Sequence, residues 1–409
     1  MPNDFGKLRI AIALSGLVVA TLSTSCGDGT NVDGVDAGPA ALSDALGADG
    51  APAAGGNVTT LEFLGVETGI FGMSEYLKFS LPENAVSFTI SAVGEESFLY
   101  SLGEVIDPNA VKLVEFSQDP SLCVSCKNRV AGAEEAAAFL FPITPTVGLV
   151  GGEYSFIVTS YFLQQGMMQA KPSKVDVRVH ILTSTPGSGT AKPQSGVVDL
   201  NFHFTGAGGI TAANAAENEK LKLAIADMRE IYKQVNLEIG TLRYRDVSED
   251  FKAVESISGK GNELAQLFKL GAGNEGGVNV FLVTSISDPQ AGGAMAIIYG
   301  ISGGIPGPTL LPGTAGTGVA VVADVTLGFD GNFGAVMAHE VGHHLGLFHS
   351  SEAPWIGIHD PLPDTGENDT SNLMFYAGDA YIQGTDQANK LTGDQGFVML
   401  NNPVVHLHP

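Results

Sequence analysis

The segment His339-Glu340-Val341-Gly342-His343-His344-Leu345-Gly346-Leu347-Phe348-His349 constrains this chain more than any other stretch of it. Phe333, Val336, Met337 and Val341 supply the apolar side of a helix, and Asp330 or Asn332 stands where its start can be capped. Four residues apart on that helix, His339 and His343 differ by about 40° in azimuth and about 6 Å along the axis. Both imidazoles therefore reach one metal ion. Glu340 projects beside them, near enough to touch a metal-bound water without being a ligand. Gly346 ends the helix, because glycine tolerates positive φ, and the chain beyond it can bring His349 back to the same ion. Three neutral imidazoles leave a fourth position for water, as in catalytic rather than structural zinc sites. A water held there has its pKa lowered toward about 7, so Glu340 can take its proton. His344 faces elsewhere on the helix and is not read as a ligand. With nine histidines in the chain, the full pattern arises by chance about twice in a hundred thousand such sequences, so chance is a poor explanation.

The pattern His339-Glu340-x-x-His343-x-x-Gly346-x-x-His349 resembles the elongated zinc motif of the metzincin metallopeptidases. That clan carries a Met-turn beneath the metal, and Asn372-Leu373-Met374-Phe375-Tyr376 fits it, with Met374 as the methionine. The Leu347-Phe348-His349 ending, the acidic run from Asp360 to Asp364 and the Asn-Leu-Met turn look most like the pappalysin/cytophagalysin group. The resemblance implies one catalytic zinc on His339, His343 and His349, with Glu340 as the base. It places Tyr376 where some members set a tyrosine that approaches the metal or the transition state, a role other members lack. It also implies a zinc-dependent endopeptidase acting on protein or peptide substrates. The substrate would pair along an upper edge strand, either residues 297–299 or residues 319–322. The motif itself covers mainly residues 330–380.

The remainder reads as a multidomain chain. Residues 196–409 give mixed α and β, compatible with an α+β zincin domain. Strands are expected over 197–204, 237–244, 278–284 and 318–325, and helices over 213–235, 262–270 and 390–400. Residues 293–313 are rich in Gly and Pro. A breaker over 184–195 separates this part from residues 57–183. There, seven short alternating or apolar runs (60–64, 75–79, 86–92, 97–102, 111–116, 154–161 and 175–182) predict an all-β sandwich. That arrangement looks like the jelly-roll accessory domains of many secreted peptidases. Residues 26–56, built from Gly, Asp, Ala and Pro, read as a flexible tether.

The first 25 residues read as an export signal: Lys7 and Arg9, then an apolar run from Ile10 to Leu22 too short to span a membrane. Small residues precede Cys26, as in bacterial lipoprotein signals, where the Cys carries the lipid. Ser23 stands where such signals usually have Leu, so cleavage as an ordinary signal peptide is the alternative. The expected location is the cell envelope, through a membrane tether on Cys26, or the exterior. Removing Cys26 from the count of three cysteines leaves Cys123 and Cys126 as a pair. A disulfide is the default for them in an oxidising compartment. A latency switch, with one thiolate capping the zinc, is the sharper alternative.

Charge excludes one class of partner. With 44 acidic against 20 basic residues and a net charge of −24, nothing favours nucleic acid. The same carboxylates, notably Asp360, Asp364, Glu367 and Asp369, could hold calcium or simply form a solvated loop. His359, His406 and His408 are expected in solvent. Two further functions compete with the peptidase: a surface binding or adhesion lipoprotein with a vestigial zinc domain, and hydrolysis of a non-peptide amide. The presence of Glu340 weighs against the first, since a decayed site has no use for a base.

Overall fold

A computed structural model describes residues 56–115, 128–164, 167–184, 192–273, 276–287, 298–323, 333–352, 358–376 and 388–408. These are rich in strand, with few helices. Cys26, Cys123 and Cys126 lie outside them, as do Asp330 and Asn332. Among the described residues no helix is long and apolar enough to cross a membrane.

In chain order the first ten strands are β1 (Gly56–Glu67), β2 (Leu77–Leu81), β3 (Ala85–Gly94), β4 (Phe98–Ile106), β5 (Lys112–Val114), β6 (Ala133–Glu134), β7 (Ala136–Phe141), β8 (Gly152–Gln164), β9 (Met167–Ala170) and β10 (Lys174–Ser184). They pair as two antiparallel sheets, β1-β10-β3-β7 and β2-β8-β4-β5, with β6 added to β4 and β9 to β8. Alternation decides which side chains turn inward: Val175, Val177, Val179 and Ile181 of β10 all enter one core. Phe79 of one sheet meets Phe88 of the other edge-on at 5.1 Å, and Phe88 stacks on Phe141 at 5.0 Å. The two sheets therefore share an aromatic interior.

All seven runs read from the sequence overlap strands, but β7 (Ala-Ala-Ala-Phe-Leu-Phe) does not alternate and escaped that reading. It is buried on both faces. Phe139 and Phe141 point into the shared aromatic core, whereas Leu140 packs with the core of the second half of the chain. A strand between two apolar surfaces has no polar face to betray it.

The second half contains β11 (Gly196–Phe204), α1 (Glu219–Lys233), β12 (Leu237–Asp246), β13 (Ala253–Val254), α2 (Glu263–Lys269), β14 (Val278–Val283), β15 (Ser285–Ile286), β16 (Gly300–Ser302), β17 (Val319–Val322), α3 (Phe333–Leu345), α4 (Gly393–Leu400) and β18 (His406–Leu407). Its main sheet runs β12-β11-β14-β17-β16, with β18 also on β11. The first four of these strands are parallel and β16 runs antiparallel at the end. This corrects one of the two expected upper edges. Residues 319–322 are internal, flanked by β14 and β16; of 297–299, Ile297 lies outside the described residues, while the Tyr299 carbonyl accepts the Val322 N–H at 2.8 Å and leads directly into the last described strand, residues 300–302.

Helix α1 starts at Glu219, not at 213, because the Asn218 side chain accepts the Leu221 N–H at 3.1 Å and caps it there. Leu221, Ile225, Met228 and Tyr232 form its buried face. The Tyr232 hydroxyl donates to the Ala338 carbonyl at 2.8 Å, tying α1 to α3. Helix α3 is buried from Gly334 to Leu345, so the residues of the motif sit inside the molecule. Helix α4 begins only at Gly393, where Thr392 and Gln395 form a capping box.

The halves are joined by more than apolar contact. The Ser87 hydroxyl donates to the Asn401 carbonyl at 2.5 Å, and Lys269 pairs with Glu135 at 2.7 Å.

Candidate metal centre

Three features of the chain bring the histidines together. His339 and His343 share a face of α3 by their spacing. Gly346 then breaks the helix with φ 116°, while its N–H donates to the His343 carbonyl at 2.9 Å and the Leu347 N–H to the Gly342 carbonyl at 3.0 Å. A side chain at 346 would be strained there, and its Cβ would stand 3.1 Å from Leu140. Beyond the turn, His349 returns to the first two rings.

The Nε2 of His349 lies 3.1 Å from that of His343 and 3.3 Å from that of His339. Each Nδ1 is already engaged: His339 with the Leu373 carbonyl at 2.7 Å, His343 with the Leu347 carbonyl at 2.6 Å, and His349 with Glu352 Oε2 at 3.0 Å. Those acceptors require the proton on Nδ1, which leaves a lone pair on every Nε2. Three buried lone pairs facing one another repel unless a cation sits among them. Tetrahedral zinc ligands at about 2.0–2.1 Å from the ion would stand about 3.3–3.4 Å apart, close to the separations found. The donor set therefore fits zinc. Burial, reinforced by the neighbouring His349, pushes His339 down to about 3, and burial first of all pushes His343 well below the ordinary histidine range. Both favour the neutral, ligating form.

Glu340 lies one residue from the first ligand and is 2% exposed. It packs against Gly300 of β16, where any Cβ would collide with its carboxylate arm. Burial raises its carboxyl to about 8, and a hydrogen bond to the Ser302 backbone opposes the rise.

Met374 is wholly buried beneath α3. Its N–H donates to Asn372 Oδ1 at 2.8 Å, and its carbonyl accepts the Ser350 N–H at 3.0 Å. The Asn372 amide in turn exchanges hydrogen bonds with Gln395 at 3.1 and 3.0 Å, so the cap of α4 also braces this turn. Tyr376 is half-buried, with its ring 5.0 Å from that of Phe375.

Two residues of this neighbourhood escaped the sequence reading. Glu352 bonds His349, and Arg129 bonds the other oxygen of Glu352; both are nearly excluded from solvent. Burial pushes the Glu352 carboxyl up, but His349 and Arg129 outweigh it and hold it down at about 2. The His349-x-x-Glu352 spacing was a legible signal for the first; none existed for Arg129.

The other candidates lie elsewhere. His344 is buried against Gly307 rather than among the ligands. His359, His406 and His408 are exposed, though His359 bonds Ser351 at 3.0 Å. Asp360 is buried, and burial raises its carboxyl to about 7. Asp364, Glu367 and Asp369 are exposed. Among the described residues, the three histidines are the one group of three His, Cys, Asp or Glu side chains able to share an ion, so the acidic loop offers calcium no comparable group.

No family model matches the chain, and no curated protein matches it. Among solved structures it is similar to archaemetzincin from Methanopyrus kandleri, at 14% identity over 50% of this chain and 94% of that one, with a TM-score of 0.30. It is also similar to metalloproteinase-II from Bacteroides fragilis, at 12% identity over 59% of this chain and 64% of that one, with a TM-score of 0.27. Likeness at that level decides nothing about the chemistry of this chain, which rests on its own side chains.

Proposed function

We propose that the chain is a zinc-dependent endopeptidase of metzincin type, most like the pappalysin/cytophagalysin group. One observation carries this reading: three buried Nε2 atoms converge on one point, and a buried carboxylate belongs to the residue next to the first of them.

His339, His343 and His349 would hold the ion. Zinc there would polarise a substrate carbonyl and acidify a water. Glu340 accepts the proton of the attacking water on its carboxylate and later delivers it to the nitrogen of the departing amine. β16 is the last strand of its sheet among the described residues, and we assign that edge to pairing with an extended peptide. That edge lies over Glu340, so a paired substrate would bring its backbone to the proton acceptor. Tyr376, two residues past Met374, is assigned to approach the transition state.

The wider proposal places an all-β sandwich of jelly-roll type over residues 57–183 and a zincin domain over 196–409. An export signal would precede them, ending at a lipid-bearing Cys26.

Glu340→Gln tests the central claim. Zinc content should stay near one ion per chain while peptide hydrolysis collapses; full activity in that variant would sink the assignment. His349→Ala should lower zinc occupancy instead.

A further inference from the structure

Of the three ligands, His349 is held differently. His339 and His343 lie on α3 and give their Nδ1 protons to backbone carbonyls. His349 lies on the chain beyond Gly346 and gives its proton to a side chain, Glu352. A side-chain acceptor fixes a ligand only if it is itself fixed.

Arg129 supplies that fixing. One guanidinium nitrogen donates to Glu352 Oε1, and the other reaches the His359 carbonyl at 3.4 Å. The guanidinium carbon sits 4.2 Å over the Phe348 ring, directly before His349 in the chain. Arg129 belongs to the first half of the molecule. It follows Asn128, whose N–H donates to the Leu113 carbonyl at 3.3 Å and whose Oδ1 accepts the Ile143 N–H at 3.2 Å. The arginine is thus anchored to the β sheets at its base and to the metal centre at its tip.

We propose that Arg129 is a positioning residue for the metal centre: it locks Glu352, Glu352 orients His349, and the ligand set is complete only when the β-rich first half is in place. This rests on the zinc reading of the three histidines. The ordinary alternative is an ion pair that merely joins two halves of a protein. Buried pairs of that kind contribute little net stability. Here, however, the same carboxylate that receives Arg129 also receives a ligand's Nδ1 proton, and a simple joining contact has no need of that. The first half is then a working part of the enzyme rather than a removable spacer.

The test uses the full chain. Zinc affinity is measured by competition with a chromophoric chelator, and ligand geometry by the visible spectrum of the cobalt(II)-substituted protein. Arg129→Met should weaken zinc binding by about 10- to 100-fold and shift the cobalt bands. Arg129→Lys should recover part of both losses. Glu352→Gln should match Arg129→Met, and the double variant should be no weaker than Glu352→Gln alone. Lys269→Met, which breaks the Glu135 pair between the halves away from the centre, should leave zinc affinity unchanged.

Wild-type affinity and spectrum in both Arg129 variants would overturn the proposal. So would equal weakening in Lys269→Met, which would mark a general loosening of the interface. Should Arg129→Met not fold, Arg129→Lys and Glu352→Gln decide by the same two measurements. A wild-type chain that binds zinc tightly yet cleaves no peptide would overturn the peptidase reading alone; one that binds no zinc would overturn both.

Discussion

Gly300 on β16 faces Glu340 on α3 so closely that a Cβ there would stand 2.5 Å from Glu340 Cγ and 2.8 Å from Oε1. The position of the carboxylate is therefore set by a missing side chain on the neighbouring strand. Gly300→Ala should push Glu340 out of place without touching any metal ligand. The expected result is a fall in kcat of about 10²- to 10⁴-fold with zinc content preserved. Steady-state kinetics beside metal analysis would check it, and an unchanged kcat would show that the carboxylate has room to spare.

Gly346 makes a second demand on the backbone. At φ 116° it lies where L-residues are strained, and a Cβ would also press on Leu140 and Val398 at 3.1 and 3.2 Å. Gly346→Ala should cost about 1–3 kcal/mol, read as a lower denaturant midpoint. It should weaken zinc as well, because His349 depends on the turn for its return. A stability loss with wild-type zinc affinity would separate the two roles.

Those features were legible because they are local. The i, i+4 spacing of His339 and His343, the helix-ending Gly346 and the Asn372-Leu373-Met374 turn each act within a few residues, so sequence spacing translates directly into geometry. What was not legible depends on distant chain. Glu352 is one acidic residue among 44; its spacing from His349 hints at a role, and the approach of Arg129 makes it specific. Arg129 is far from the motif in sequence and reaches it only because the first-half sheets pack against α3 and α4. β16 is three residues long and Gly-containing; its pairing with β17 defines it, and its composition does not. β7 hid for the opposite reason, being apolar throughout.

Met374 gives a third prediction. It is wholly buried, with its sulfur 3.2 Å from where a Cβ on Gly342 would lie, so it fills the space directly under the ligand-bearing helix. Met374→Ala should cost about 2–5 kcal/mol through the cavity it leaves, whereas Met374→Leu should cost under about 1.5 kcal/mol. If the turn also steadies α3 for the metal, zinc should bind more weakly to the Ala variant than to the Leu variant. Equal affinities would confine Met374 to a packing role.

Acid sensitivity supplies the fourth. His203 is fully buried in β11, with Nε2 3.1 Å from Asn279 Oδ1 and its ring 4.4 Å from that of Phe281. Burial pushes it down to about 4; the Asn279 hydrogen bond works against that and Arg245 with it. Above about pH 6.5 the ring is neutral whether the chain is folded or unfolded, so it contributes no pH dependence. Between about 6.5 and 4 the unfolded chain binds a proton that the folded chain refuses, so stability falls as pH falls. The loss is roughly 3 kcal/mol at pH 4 and levels off about a pH unit below it. Carboxylates add acid sensitivity of their own, so a difference between proteins is the informative quantity. His203→Asn should flatten the urea-unfolding stability profile between pH 4.5 and 6.5 relative to wild type, whatever its effect at neutral pH. Parallel profiles would mean that His203 takes up no proton on unfolding in this range.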